Sequence, residues 1–129
     1  MTDSIFTKII KGEIPCHKVY EDDKSLAFLD IFPIVPGHVL VVSKKQVEYL
    51  WDLPDEDYQA VMAACKKVAN RLREVLKVKY VGVKVVGTDV PHVHIHLVPF
   101  NHAKEYYKRR GLNQVDDTEL ANLAAKLAL

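Results

Sequence analysis

A chain of 129 residues has the length of one domain. It can bury roughly two thirds of the surface its unfolded form exposes, enough to fold without covalent staples. Eighteen Lys and Arg against 17 Asp and Glu leave a net charge of +1, which gives no support for binding bulk nucleic acid or an acidic membrane surface. The opening stretch MTDSIFTKII has no basic start and no apolar core of signal-peptide length. No run approaches the ~20 apolar residues of a membrane span. A cytoplasmic setting is therefore expected, with Cys16 and Cys65 as reduced thiols.

Residues 3–10 read as a short helix with Ile5, Phe6, Ile9 and Ile10 on one face and Gly12 as a stop. KVYED and SLAFLD read as two strands around the turn Asp22-Asp23-Lys24. The stretch 30–37, with two prolines and a glycine, reads as a structured loop. An apolar strand over 38–44 follows. DLPDED then opens the longest helix, with Asp52 or a neighbour as its cap and Pro54 in its first turn. Its apolar face is Tyr58, Val61, Met62, Cys65, Val68, Ala69, Leu72, Val75 and Leu76. Residues 80–86 and 92–100 are two more strands, and DDTELANLAAKL is a last helix, with Asp116 and Glu119 spaced as a capping box. Strands and helices do not alternate regularly, which favours a mainly antiparallel α+β domain over 1–129. Residues 101–129 form a C-terminal extension with a short helix and no usable motif.

The stretch PHVHIHLVP, residues 91–99, carries three of the six histidines. On a strand, side chains alternate faces. His92, His94 and His96 therefore share one face, and Val93, Ile95 and Leu97 the other, where burial fixes the register. Three readings of the row stay open. It is a solvated strand face, a metal site in which two imidazoles bind one ion, or an acid–base and nucleophilic centre acting on an anion. Metal chemistry usually wants a carboxylate or thiolate as well, and the run contains neither. An imidazole with a pKa of ~6.5 can attack phosphorus near neutrality without a separate activating base.

His-apolar-His-apolar-His followed by Leu97 and Val98 resembles the histidine triad (HIT) superfamily of nucleotide hydrolases and transferases. The blocks IFTKIIKGEIP and VYEDDKSLAFLDIFPIVPGHVLVVSKK resemble, in order and spacing, the N-terminal half of its purine nucleoside phosphoramidase branch. The likeness covers roughly residues 4–100. It implies a five-stranded antiparallel sheet with one long helix, short flanking helices, and a homodimer through the long helix. It also implies hydrolysis of nucleoside phosphoramidates or related nucleoside-monophosphate derivatives through a nucleotidyl-histidine. Dinucleoside polyphosphate hydrolysis, or a weakly active nucleotide-binding adaptor, are the alternatives. The expected partner is a purine nucleotide such as AMP or GMP, and no cofactor is expected.

By that resemblance His94 is the nucleophile, His96 lies against the phosphate, and His92 orients the nucleophile through its main chain. His38, from the PGHVLVV strand, sets tautomer or proton traffic. Asp30 takes the ribose hydroxyls, as a carboxylate suits a cis-diol. Phe6, Ile9, Ile14, Phe28 and Leu40 match the positions of an apolar base pocket. Gly87, Thr88 and Asp89 stand in a short segment where the family has polar phosphate contacts, and an aspartate there repels phosphate unless it points away. Many bacterial members hold zinc with cysteines at the positions of Ser4 and Thr7 and a histidine at that of Gln46. Lacking those ligands, this chain is expected to hold no zinc.

Overall fold

The computed structural model describes residues 2–111 and 113–129. Helix α1, Ile5–Ile10, starts where the Ser4 hydroxyl accepts the Thr7 N–H. It stops before Gly12, whose φ of +81° suits a residue without Cβ. Strands β1, Lys18–Glu21, and β2, Ser25–Leu29, form a hairpin. The Asp22 carboxylate holds its turn by accepting the N–H groups of Lys24 and Ser25. Strand β3 is Val39–Ser43, and a 3₁₀ turn over Leu50–Asp52 leads into α2, Asp55–Leu76. Strands β4, Tyr80–Lys84, and β5, His94–Phe100, are followed by α3, Ala103–Tyr106, and α4, Asp117–Leu127.

All neighbours in the sheet are antiparallel, in the order β1-β2-β3-β5-β4. Alternation along the strands sorts the core into two layers. Ala27, Leu29, Val39, Val41, Ile95 and Leu97 face α2, which contributes Val61, Ala64, Cys65, Val68 and Leu72. Leu120, Ala124 and Leu127 of α4 join this layer. Cutting a buried leucine such as Leu72 to Ala typically costs 2–5 kcal/mol. The opposite face carries Leu26, Phe28, Leu40 and Val42, covered by Phe6 of α1.

Several local expectations are corrected. Asp52 does not cap α2: it ends the 3₁₀ turn, and Pro54 is itself the N-cap, without a side-chain bond. Asp55, Glu56 and Asp57 in the first turn supply the negative charge that the helix N-terminus favours. Met62 is 38 % exposed, because it lies about 100° around the helix from buried Val61. Asp116 caps α4 by accepting the N–H groups of Thr118 and Glu119, which is half of the expected capping box. Strand β4 ends at Lys84 and β5 begins at His94, so the ladder covers less than 80–86 and 92–100. The histidine face is not solvated: His92, His94 and His96 are 0 %, 3 % and 7 % exposed.

Candidate active site

The β3–β5 ladder sets Leu40 opposite His96 and Val42 opposite His94. His38, just before β3, lies two residues from Leu40 and so on the His96 face. His38 Nε2 is 3.0 Å from His96 Nδ1, and the His94 and His96 rings are 5.3 Å apart between centroids.

Main-chain partners settle the proton positions on these rings. A carbonyl only accepts, so a ring nitrogen facing one must carry hydrogen. His94 Nδ1 faces the His92 carbonyl at 2.7 Å and donates to it. The lone pair of neutral His94 is therefore on Nε2. His92 Nε2 likewise donates to the Ser43 carbonyl at 2.6 Å, so its Nδ1 accepts the Ser4 hydroxyl hydrogen at 2.6 Å. The Ile34 N–H donates to His38 Nδ1 at 3.1 Å. Neutral His38 then carries hydrogen on Nε2 and donates it to His96 Nδ1, which leaves the His96 hydrogen on Nε2. The two central rings thus present opposite characters: a lone pair on His94 and an N–H on His96.

Burial dominates the electrostatics. It pushes His38 down from 6.5 to about 4, with Arg110 and Lys84 acting in the same direction and Asp30 against it. His96 is held down to about 4 by burial first, then by His38, His94 and Lys84. His92 is lowered by burial, with the Ser43 carbonyl opposing. Neutral imidazoles near pH 7 are what the tautomer assignment requires.

A cavity of about 240 Å³ opens beside these rings. Phe6, Ile9, Ile14, Phe28 and Leu40 line it, as does Ile5, together with Asp30, Asp89, His94 and His96. Its lining is largely apolar with a few polar groups, as suits a base joined to a charged group. Asp30 is 2 % exposed. Its Oδ1 accepts the Phe32 N–H and an Arg110 guanidinium hydrogen, at 2.8 and 2.9 Å. Its Oδ2 is buried without a hydrogen-bond partner and lies 3.7 Å from His38 Nε2. An orphaned carboxylate oxygen in a cavity wall is an acceptor waiting for a donor.

Not every expected residue reaches the cavity. His92 acts from behind, through its carbonyl on His94. Gly87 and Thr88 do not line the cavity, although Asp89 does. Gly87 has a φ of +78°, which suits a residue without Cβ. Arg110 was missed, because nothing in the extension marked one arginine among Lys104, Lys108, Arg109 and Arg110 as returning to Asp30, 80 residues earlier.

Two residue sets can be tested against a metal. Ser4, Thr7 and Gln46 do converge on His92, since Thr7 Oγ1 donates to Gln46 Oε1 at 2.6 Å and the Ser4 N–H donates to the same oxygen at 2.8 Å. Two hydroxyls, an amide oxygen and one imidazole lack the thiolates or carboxylates that hold zinc, so this set does not fit. Asp30, His38 and His96 bring ligand atoms within 4.8 Å of one another. There, the Ile34 N–H on His38 Nδ1 commits Nε2 to a hydrogen, and a protonated nitrogen is no ligand. As arranged, that set does not fit a metal either.

Comparison with known proteins gives four likenesses. A family model described as HIT domain matches residues 11–103. An uncharacterized HIT-like protein of Borreliella burgdorferi is 42 % identical over 106 residues, covering 77 % of this chain and 76 % of that protein. The adenosine 5'-monophosphoramidase hnt1 of Schizosaccharomyces pombe is 40 % identical over 96 residues, covering 74 % and 72 %. A crystal structure of a Hit-like protein from Bartonella henselae, described as involved in cell-cycle regulation and holding an unknown ligand, superposes with a TM-score of 0.86. It is 31 % identical and covers 97 % of this chain and 93 % of that one.

Proposed function

Since this chain belongs to the HIT domain family, we propose that it is a hydrolase that cleaves nucleoside phosphoramidates, or related nucleoside-monophosphate derivatives, through a nucleotidyl-His94 intermediate. The observation that carries this reading is the His94 tautomer. Its Nδ1 hydrogen is fixed on the His92 carbonyl, so the Nε2 lone pair is the one available to a substrate in the adjoining cavity. The likeness to a phosphoramidase supports the substrate class.

In this reading the base lies among Phe6, Ile9, Ile14, Phe28 and Leu40, and a ribose hydroxyl donates to Asp30 Oδ2. His94 Nε2 attacks the α-phosphorus: the P–N bond to His94 forms while the bond to the leaving nitrogen or oxygen breaks. The leaving atom takes the Nε2 hydrogen of His96, which leaves Nε2 with a lone pair. Water then attacks: a P–O bond forms, the P–N bond breaks, and the proton of that water passes to His96 Nε2 and restores it. His38 holds His96 in the donating tautomer through the 3.0 Å bond to Nδ1. Every step is acid–base and nucleophilic chemistry on side chains of this protein.

We propose further that residues 1–129 act as one domain, in the cytoplasm, and as a homodimer. No helix of the described residues is long and apolar enough to cross a membrane. Met62 is an exposed apolar group on α2, the helix through which the family resemblance implies the dimer. The function is tested by measuring release of AMP and ammonia from adenosine 5′-phosphoramidate. Turnover supports the reading; AMP binding without turnover would make the chain a binding module.

A further inference from the structure

A second cavity, also about 240 Å³, meets the first at His96. It shares His96, Asp89 and Arg110 with the cavity already described. The two differ in chemistry. The first is walled mainly by aliphatic and aromatic groups; the second adds Lys84 and Lys108 to the shared Arg110 and Asp89, with Ile34 and Val86 as its apolar part.

The lysines are placed by the fold. Lys84 ends β4 directly opposite His96 of β5, so the two side chains share a face of the sheet. Lys108 comes from the segment after α3, which Tyr106 pins over β4. The Tyr106 hydroxyl donates to the Val83 carbonyl at 3.3 Å, and its ring lies 5.5 Å from that of Phe100. The same ring covers Gly82 so closely that a Cβ there would stand 2.2 Å from it. Arg110 is already matched by Asp30 at 2.9 Å. Lys84 and Lys108 make no ion pair within 4.0 Å among the described residues. Lys108 does lie in the field of Glu105, outside the cavity lining, but two lysines against the one lining carboxylate, Asp89, leave the cavity positive. The Lys84 charge already registers on His38 and His96, both of which it holds towards the neutral form.

We propose that this second cavity receives an anionic leaving group, with Lys84 and Lys108 as the residues that determine that preference. The inference rests on the hydrolase reading. With the nucleoside in the apolar cavity and phosphorus between His94 and His96, the group that departs from phosphorus leaves beyond His96. It takes the His96 Nε2 hydrogen as its bond to phosphorus breaks and carries its own negative charge into the lysine-lined space. A neutral amine gains nothing from these lysines; a group bearing phosphate, sulfonate or carboxylate does.

The test uses two anilides of AMP, one with a meta-sulfonate on the leaving ring and one with a meta-sulfonamide. The reacting centre is matched and only the charge differs. The quantity read is the ratio of kcat/KM for anionic over neutral substrate, in the full chain and in Lys84→Gln/Lys108→Gln. Partly exposed charge pairs each change an equilibrium by up to roughly fivefold. The wild type should therefore favour the sulfonate by about fivefold to twentyfold, and the double variant should bring the ratio near one. High salt should lower the wild-type ratio in the same direction. A wild-type ratio near one overturns the subsite and leaves the hydrolase reading standing. A ratio that survives in the double variant overturns the assignment to the lysines. Failure of the wild type to cleave either anilide while it turns over adenosine 5′-phosphoramidate overturns the subsite alone; failure on all three substrates overturns the hydrolase reading.

Discussion

His94 donates its Nδ1 hydrogen to the main-chain carbonyl of His92, two residues earlier in the same chain segment, at 2.7 Å. This relationship fixes a side chain to its own backbone. The ring cannot flip without breaking the bond, and its Nε2 keeps the lone pair. The His92 side chain serves the same end from the other side. It anchors to the Ser43 carbonyl at 2.6 Å and accepts the Ser4 hydroxyl, so the peptide that holds His94 is itself held.

Ser4→Ala tests that outer support. It removes a helix cap, at about 1 kcal/mol, and leaves buried His92 Nδ1 with only the Thr7 hydroxyl, 3.4 Å away, in place of the 2.6 Å bond from Ser4, at a further cost of up to ~1 kcal/mol. Thermal melting should fall accordingly. With looser positioning of His94, kcat should drop about tenfold, more than KM rises. Ser4→Thr should restore most of both. A variant that melts lower but keeps full kcat would make Ser4 a purely structural cap.

The sheet was largely legible because it is written in local alternation. Residues 38–44 and 92–100 read as strands from their apolar periodicity, and β3 and β5 pair inside them. Strand period alone put His92, His94 and His96 on one face, and His94 and His96 line one cavity with Phe6, Ile9, Ile14, Phe28 and Leu40, positions that only the family resemblance had singled out. What the sequence hid was long-range. The return of Arg110 to Asp30 depends on how α3 and Tyr106 lay the chain over β4, and no local pattern encodes that. Burial of the imidazoles was hidden for the same reason, since α1 covers their face from the other end of the chain, with the Phe6 ring 4.9 Å from that of His94.

Asp30→Asn separates ribose binding from chemistry. Oδ1 is taken by Phe32 and Arg110, so the ribose contact falls to Oδ2. A charge-assisted hydrogen bond contributes ~1.5–3 kcal/mol, and AMP affinity should fall roughly tenfold to a hundredfold. For 2′,3′-dideoxy-AMP, which lacks the contact, the loss should be much smaller. Equal weakening of both nucleotides by calorimetry would remove Asp30 from the ribose site.

Stability should fall as the pH drops from about 7 to about 4. His38 and His96 titrate near 6.5 when unfolded and near 4 in the folded chain, so the unfolded state binds more protons across that window. Stability therefore rises with pH there, and the contribution is lost as pH falls through the folded value. A shift of this size corresponds to roughly 3 kcal/mol for one such histidine. Urea unfolding at several pH values measures it. In His38→Gln the dependence should flatten; an unchanged slope would place the titration elsewhere.

Activity should survive chelation. Ser4, Thr7 and Gln46 offer neutral oxygens where zinc requires thiolate, imidazole or carboxylate. Protein dialysed against a chelator should keep its turnover, and added zinc should not raise it. Loss of activity that zinc restores would reopen the metal reading of Asp30, His38 and His96.

The central claim is that His94 becomes covalently nucleotidylated. Rapid acid-free quench of the enzyme during turnover of adenosine 5′-phosphoramidate, followed by proteolysis and mass spectrometry, tests it directly. The account predicts one adenylyl group on the Nε2-bearing ring of His94, absent in His94→Ala, whose turnover falls by several orders of magnitude while AMP still binds. An adenylyl group on His92 or His96, or a His94→Ala variant that hydrolyses at near the wild-type rate, would contradict it.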